Sequence, residues 1–175
     1  MKLLIASDIH GSSYYLEKLI KNINKLNPDK IILLGDYLYH GARNDLPEKY
    51  DTKKCFALLN SISEKIIAVR GNCDSEVDQM VLNFPITNIF STLNIDGFNF
   101  YFSHGHKLDT LPSLSKNDIL CTGHTHVYLL NKNHVNPGSI SIPKQEDLEH
   151  TFLFYENKIF YLYNLDGILL KQMDL

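Results

Sequence analysis

The chain has 175 residues, 17 basic and 20 acidic, for a net charge of −3 with histidines neutral. No basic stretch stands out, which argues against electrostatically driven nucleic-acid binding. No run approaches the ~18 apolar residues of a membrane span, and the length fits one domain over residues 1–175.

Residues 2–7 (KLLIAS) read as a buried first strand, too short for the apolar core of a signal peptide. Ser12 or Ser13 can cap the next helix, where Tyr15, Leu16, Leu19, Ile20, Ile23 and Leu26 recur at helical spacing. Asn27-Pro28-Asp29 breaks it, and residues 30–34 (KIILL) form a second strand ending at Gly35-Asp36. A polar loop follows, then a helix over 53–62 with Phe56, Leu58 and Leu59 for packing, then a strand over 64–69. This alternation predicts parallel pairing with right-handed crossovers.

The second half reads as mostly antiparallel. Residues 88–95 and 98–103 flank Asp96-Gly97, a strong hairpin signal. Residues 119–122 form a short strand, and 127–130 and 134–135 flank a polar turn. Residues 151–155, 158–163 and 168–173 form a terminal meander rich in Phe, Tyr and Leu. Two facing sheets with helices outside follow. Apolar meander residues left exposed would offer an interface for a homo-oligomer. Cys55, Cys73 and Cys121 are odd in number and lack paired spacing, so no disulfide framework is expected and the cytoplasm is the natural setting.

Ligand-type residues stand at or just beyond the ends of these apolar runs: Asp8 and His10, Asp36, Asn72, His104, then His124 and His126. In extended backbone, residues two apart point the same way, so Asp8 and His10, and again His124 and His126, would each address one site. A carboxylate such as Asp36 can bridge two cations, and Gly35 before it permits close backbone approach. Asn72 adds a neutral oxygen. Parallel strands bring such ends to one edge, and this donor set suffices for two divalent ions, a tool for cleaving phosphate esters.

The blocks SDIHG, LGDYL, RGNCD, SHGH and CTGHTH match, in order and complete, the pattern D-x-H, G-D, G-N-x-[DE], H, G-H-x-H. The chain thus resembles the calcineurin-like metallophosphoesterases, and GNCD and the later NPGS resemble their small bacterial YfcE-type phosphodiesterase subgroup. The resemblance implies an α/β fold, a four-layer αββα sandwich of two mixed sheets with flanking helices. It implies one ion held by Asp8, His10, Asp36 and His126 and another by Asp36, Asn72, His104 and His124. Manganese is the foremost candidate, with zinc, iron or nickel as alternatives. The reaction implied is attack of a metal-activated water on a small phosphodiester. A phosphomonoesterase and a non-catalytic scaffold like the retromer subunit of the same fold are the alternatives.

One position departs from the wider family. Many members carry His after the Asn; here it is Cys73, with Asp74 beside it, and both are candidate catalytic residues. A thiol is a weak, uncharged donor, so good leaving groups would be favoured. His40 and Arg43, in the loop after Asp36, are the candidate substrate contacts, since a net negative chain needs a local cation for phosphate. Few basic residues flank the motifs in sequence, which leans towards diesters. Asn136-Pro137-Gly138-Ser139 reads as a structural turn.

Overall fold

The computed structural model describes residues 1–175. Its first half is β1 (Leu3–Ala6), α1 (Ser13–Leu26), β2 (Lys30–Leu33), α2 (Thr52–Asn60) and β3 (Ile66–Ala68), then the single turn α3 (Glu76–Gln79). Eight strands follow: β4 (Phe90–Ile95), β5 (Phe98–Ser103), β6 (Asp118–Cys121), β7 (Tyr128–Asn131), β8 (His134–Pro137), β9 (Thr151–Glu156), β10 (Ile159–Asn164) and β11 (Leu169–Asp174). They form two mixed sheets, ordered β11-β10-β9-β1-β2-β3 and β4-β5-β6-β8-β7.

Local chemistry accounts for the element ends. The Ser12 side chain accepts the Tyr15 N–H at the start of α1, and Asn27 closes the helix in the left-handed conformation. Asp51 caps α2 through the Lys54 N–H. Asp96 and Gly97 both take positive φ (54° and 89°), as a tight two-residue hairpin turn requires.

Strand alternation divides the core in two. Leu4 and Ala6 of β1, with Phe152 and Phe154 of β9, pack beneath Leu16, Leu19 and Ile23 of α1 and Cys55 and Leu59 of α2. Leu3, Ile5, Leu153 and Tyr155 face the other way, towards Phe100, Phe102, Ile119 and Val135 of the second sheet. Strands buried on both faces read as continuous apolar runs, which is why β1 and β2 stand out in the sequence.

Two expectations change. The second sheet contains a parallel core: β5 pairs parallel with β6, and β6 parallel with β8. The terminal meander joins the first sheet, with β9 antiparallel to β1. Its aromatic side chains are therefore core, and Ile168 and Leu169 are its exposed large apolar residues. Local patterning specifies that a strand exists; pairing across more than a hundred residues is decided by packing of the two faces. No helix is long and apolar enough to cross a membrane.

Candidate metal centre

The seven candidate ligands all lie where strands end. Asp8 and His10 follow β1, Asp36 follows β2, and Asn72 follows β3, strands that run parallel and so finish at one edge. His104 follows β5, and His124 and His126 follow β6, again a parallel pair. The unanticipated parallel core of the second sheet is therefore what carries the histidines to the same edge as the carboxylates.

Asp8, His10, Asp36, His124 and His126 adopt positive φ, between 48° and 67°. Their convergence comes from left-handed turns, correcting the expectation that extended alternation would aim each pair. The His124–Thr125–His126 pair accordingly splits between two partners. Left-handed non-glycine residues are sparsely populated and persist only where neighbours over-determine them. Here the neighbours are many. Asp8 N–H donates to Gly35 O (3.1 Å) and His10 N–H to Asp36 O (2.9 Å). His124 N–H donates to Asp8 Oδ2 at 3.0 Å. Ser139 and Ser141 hydroxyls both donate to Asp8 O at 2.8 Å. Asn136 Nδ2 donates to Gly123 O at 2.8 Å, beneath the His124 turn. The Asn-Pro-Gly-Ser segment is thus a brace under the site.

The donors form two linked groups. His126 Nε2 lies 3.2 Å from His10 Nε2 and 3.4 Å from Asp8 Oδ1. His104 Nε2 lies 3.0 Å from Asn72 Oδ1 and 3.2 Å from His124 Nδ1. Asp36 Oδ2 joins them, 3.7 Å from His10 Nε2 and 3.4 Å from His104 Nε2. Asp36 Oδ1 is occupied elsewhere, accepting the Cys73 N–H at 2.8 Å. A Cβ on Gly71 would overlap that same oxygen, so only glycine permits this approach.

Three observations fit this set to cations. His10, His104 and His126 each place Nδ1 against a backbone carbonyl, of Tyr39 (2.8 Å), Leu34 (2.6 Å) and Ile142 (2.6 Å). An Nδ1–H donated there leaves the Nε2 lone pair facing the centre, the usual support of a metal-binding imidazole. Two such lone pairs 3.2 Å apart, as on His10 and His126, repel unless a positive charge lies between them. Asp8 Oδ1 is buried with no hydrogen-bond partner, a rare condition for a carboxylate oxygen.

Electrostatics follows the same pattern. Burial would raise Asp8, but the adjacent His10 and His126 imidazoles and the His104 charge hold it well below the usual carboxylate range. Burial disfavours the His104 imidazolium, yet the Asp36 hydrogen bond and the Asp8 and Asp36 charges outweigh it and lift it to about 9. Burial, then the Asp36 carboxylate, pushes the Cys73 thiol up to about 12.

Cys73 does sit at the centre, its sulfur clustered with donors of His10 and Asp36. Asp74, expected among the catalytic residues, has a different task. Its buried carboxylate accepts the N–H groups of Asp36 (2.9 Å), Tyr37 (2.8 Å) and Gly71 (2.7 Å), clamping the β2 and β3 turns together. It positions Asp36, with both of its oxygens engaged by backbone N–H groups.

A cleft of about 960 Å³ opens beside the donors. Arg43 lines it as expected, and His40 does not. The His40 ring packs edge-on against Tyr39 and Tyr50 instead. Arg70 and Lys144 also line the cleft, and sequence reasoning missed both. The flanks are therefore not poor in cations. Arg70 could have been found: it immediately precedes the Gly71-Asn72 block. Lys144 could not, because only the fold of the segment after β8 brings it near; its N–H donates to His126 O. His106 lines a neighbouring groove with Arg70 and Lys107. His134 bonds Thr122 and His150 stacks on Tyr15, both structural roles.

Residues 1–158 match the calcineurin-like phosphoesterase superfamily domain. Over 150 residues the chain is 45% identical to Phosphodiesterase YfcE of Escherichia coli (strain K12), covering 82% of each. The solved structure of E. coli Yfce, a phosphoesterase, superposes with a TM-score of 0.92 at 40% identity, over 99% of this chain and 98% of that one. Phosphodiesterase MJ0936 of Methanocaldococcus jannaschii is 30% identical over 135 residues, 72% of this chain and 74% of that protein. Zn-complexed Vps29 from Entamoeba histolytica shares the fold, with a TM-score of 0.63 at 19% identity over 99% of each chain. The chain belongs to the calcineurin-like phosphoesterase superfamily.

Proposed function

We propose that this calcineurin-like phosphoesterase hydrolyses small phosphate diesters with the aid of two divalent metal ions, residues 1–175 acting as one domain. The observation that carries the reading is the largely buried set of carboxylates and imidazoles whose donor atoms converge, with Asp8 Oδ1 left without a hydrogen-bond partner. Asp8, His10, Asp36 and His126 would hold one ion, and Asp36, Asn72, His104 and His124 the other. Asp36 Oδ2 suits the shared position because it faces both groups, His10 on one side and His104 on the other. Mixed oxygen and imidazole donors suit manganese, the foremost candidate, and equally zinc, iron and nickel. Bound divalent ions polarise phosphoryl oxygens and make a water easier to deprotonate.

The chain's own contribution is positional. Carbonyl-anchored imidazoles hold their donor atoms before substrate arrives, so little reorganisation is left for the reaction. Arg43 lines the cleft, where its guanidinium is available to an anionic part of the substrate. No side chain is placed as a nucleophile: Ser7 and Ser103 are buried at strand ends, and Cys73 is held as a thiol. A water would attack phosphorus. Cys73 donates weakly to a leaving oxygen, so phenolate-like leaving groups, which need little protonation, are favoured. The free cysteines support a reducing cytosol as the working compartment.

The three cleft cations also favour a second reading, hydrolysis of dianionic monoesters. Rates on bis-p-nitrophenyl phosphate and p-nitrophenyl phosphate, measured with each metal for wild type and His126→Ala, decide. Faster, metal-dependent diester cleavage that fails in His126→Ala supports the diesterase. Monoester preference supports the second reading, and activity on neither substrate supports a scaffold.

A further inference from the structure

The chain contains two arginines, Arg43 and Arg70, and both line the cleft beside the candidate metal centre. They come from different elements, the loop after β2 and the turn after β3, so the fold has brought them together. Lys144 joins them from the segment after β8. None of the three has a carboxylate partner. The ion pairs made by lysine or arginine are Lys2–Glu156, Lys18–Asp166 and Lys54–Glu17, all elsewhere.

The carboxylates of the cleft are otherwise engaged or unpaired with these cations. Asp36 faces the imidazoles, and Asp74 is spent on three N–H groups. Glu76 is exposed in the first turn of α3 and bridges to neither arginine. The Arg70 guanidinium is steadied by one bond, from Nε to Asp74 O at 3.3 Å, which leaves its two terminal nitrogens without a protein partner. A steadied, unpaired guanidinium that lines one cleft with a second offers forks for phosphoryl oxygens.

A diester phosphoryl carries one negative charge, and the cations of the centre would already face it. Arg43, Arg70 and Lys144 exceed what that single charge requires. In a chain of net charge −3, such a gathering is not a by-product of composition. Tyr39, 43% exposed on the same cleft wall, offers an aromatic face to a flat group.

We propose that Arg43, Arg70 and Lys144 form a second anion site, so that the preferred substrate is a small diester bearing a further phosphoryl group on one ester arm. This rests on the diesterase reading above and specifies its substrate class. The site would act on binding of the arm, and its signature is in KM more than in kcat.

The test compares thymidine 5′-(p-nitrophenyl phosphate) with its 3′-phosphorylated counterpart, which has the same base and leaving group. The expected result is a KM about tenfold lower for the 3′-phosphorylated compound, one charge-assisted contact being worth about that factor. That advantage should shrink towards unity in Arg70→Gln and in Arg43→Gln. Arg43 is exposed, so its variant stays informative if the Arg70 variant folds poorly. Equal KM values in the wild type, or an advantage that survives both variants, overturn the site. If neither compound is cleaved, the diesterase reading fails by itself. Calorimetric binding of thymidine 3′,5′-bisphosphate against thymidine 5′-monophosphate still decides the anion site: tighter bisphosphate binding lost in Arg43→Gln supports it, and equal affinities overturn it.

Discussion

The two halves of the centre are built to different standards. Around Asp8, His10 and His126 every donor is buried, and both ring systems are anchored through Nδ1 to carbonyls. Around Asn72, His104 and His124 only His104 is buried and anchored so. Asn72 is exposed, and His124 is half-buried with its Nδ1 turned inward. One half is finished by the core, while the other opens on the cleft. The difference teaches where adaptability resides: the inner half is set by folding, and the outer half can adjust to what enters.

The harshest way to break the comparison is to remove what the halves share. Asp36→Ala should lower activity by more than about 100-fold, the upper range for residues that only support ligands, and metal content per chain should fall at both sites. If one ion stays fully bound, Asp36 is not shared. Next, His126→Ala and Asn72→Ala separate the halves. The inner variant should lose its ion outright, whereas the outer one should weaken a single ion by about tenfold, read by metal titration with atomic emission. Equal losses would erase the asymmetry.

Asp74→Ala probes the clamp beneath both halves. It strands three buried N–H groups, each costing about 1 kcal/mol or more, so unfolding should show a loss on the order of 3 kcal/mol in chelated protein. A milder test uses pH. A His104 lifted to about 9 carries a proton at neutrality, which a metal must displace. Affinity at the outer half should therefore rise with pH up to about 9, by at most about tenfold per unit. Stability of the chelated chain should run the other way. The protonated His104 contributes fully below the unfolded value of 6.5, and that contribution is lost as pH rises through about 9. The smallest effect is expected for Cys73→His. It should narrow the rate gap between phenolate and alkoxide leaving groups with little change for phenolates; an unchanged gap removes Cys73 from the reaction.

Much of the inner half was legible in the sequence. Apolar runs that stop at Asp8 and Asp36 mark strands buried on both faces, and local hydrophobicity is what a sequence displays most directly. The Asp96-Gly97 hairpin was legible for a similar reason, since two adjacent residues specify the turn. The left-handed geometry at Asp8 or His126 was not. Aspartate and histidine are common in many conformations, and only long-range bonds such as Ser139 to Asp8 select this one. That Arg70 and Lys144 share a cleft with Arg43 was hidden because the three are far apart in the chain. His40, near Arg43 in sequence, was misread because neighbours in a loop need not share a direction.

The pairing of β1 with β9 bears on biosynthesis. β1 begins at Leu3 and β9 at Thr151, so β1 leaves the ribosome well before its partner. Until β9 arrives, one edge of β1 shows unpaired N–H and C=O groups, and Leu3 and Ile5 lack their facing layer. Ser139 and Ser141, which fasten the Asp8 turn, also emerge late. The turn that carries Asp8 thus waits for partners 131 and 133 residues further along the chain.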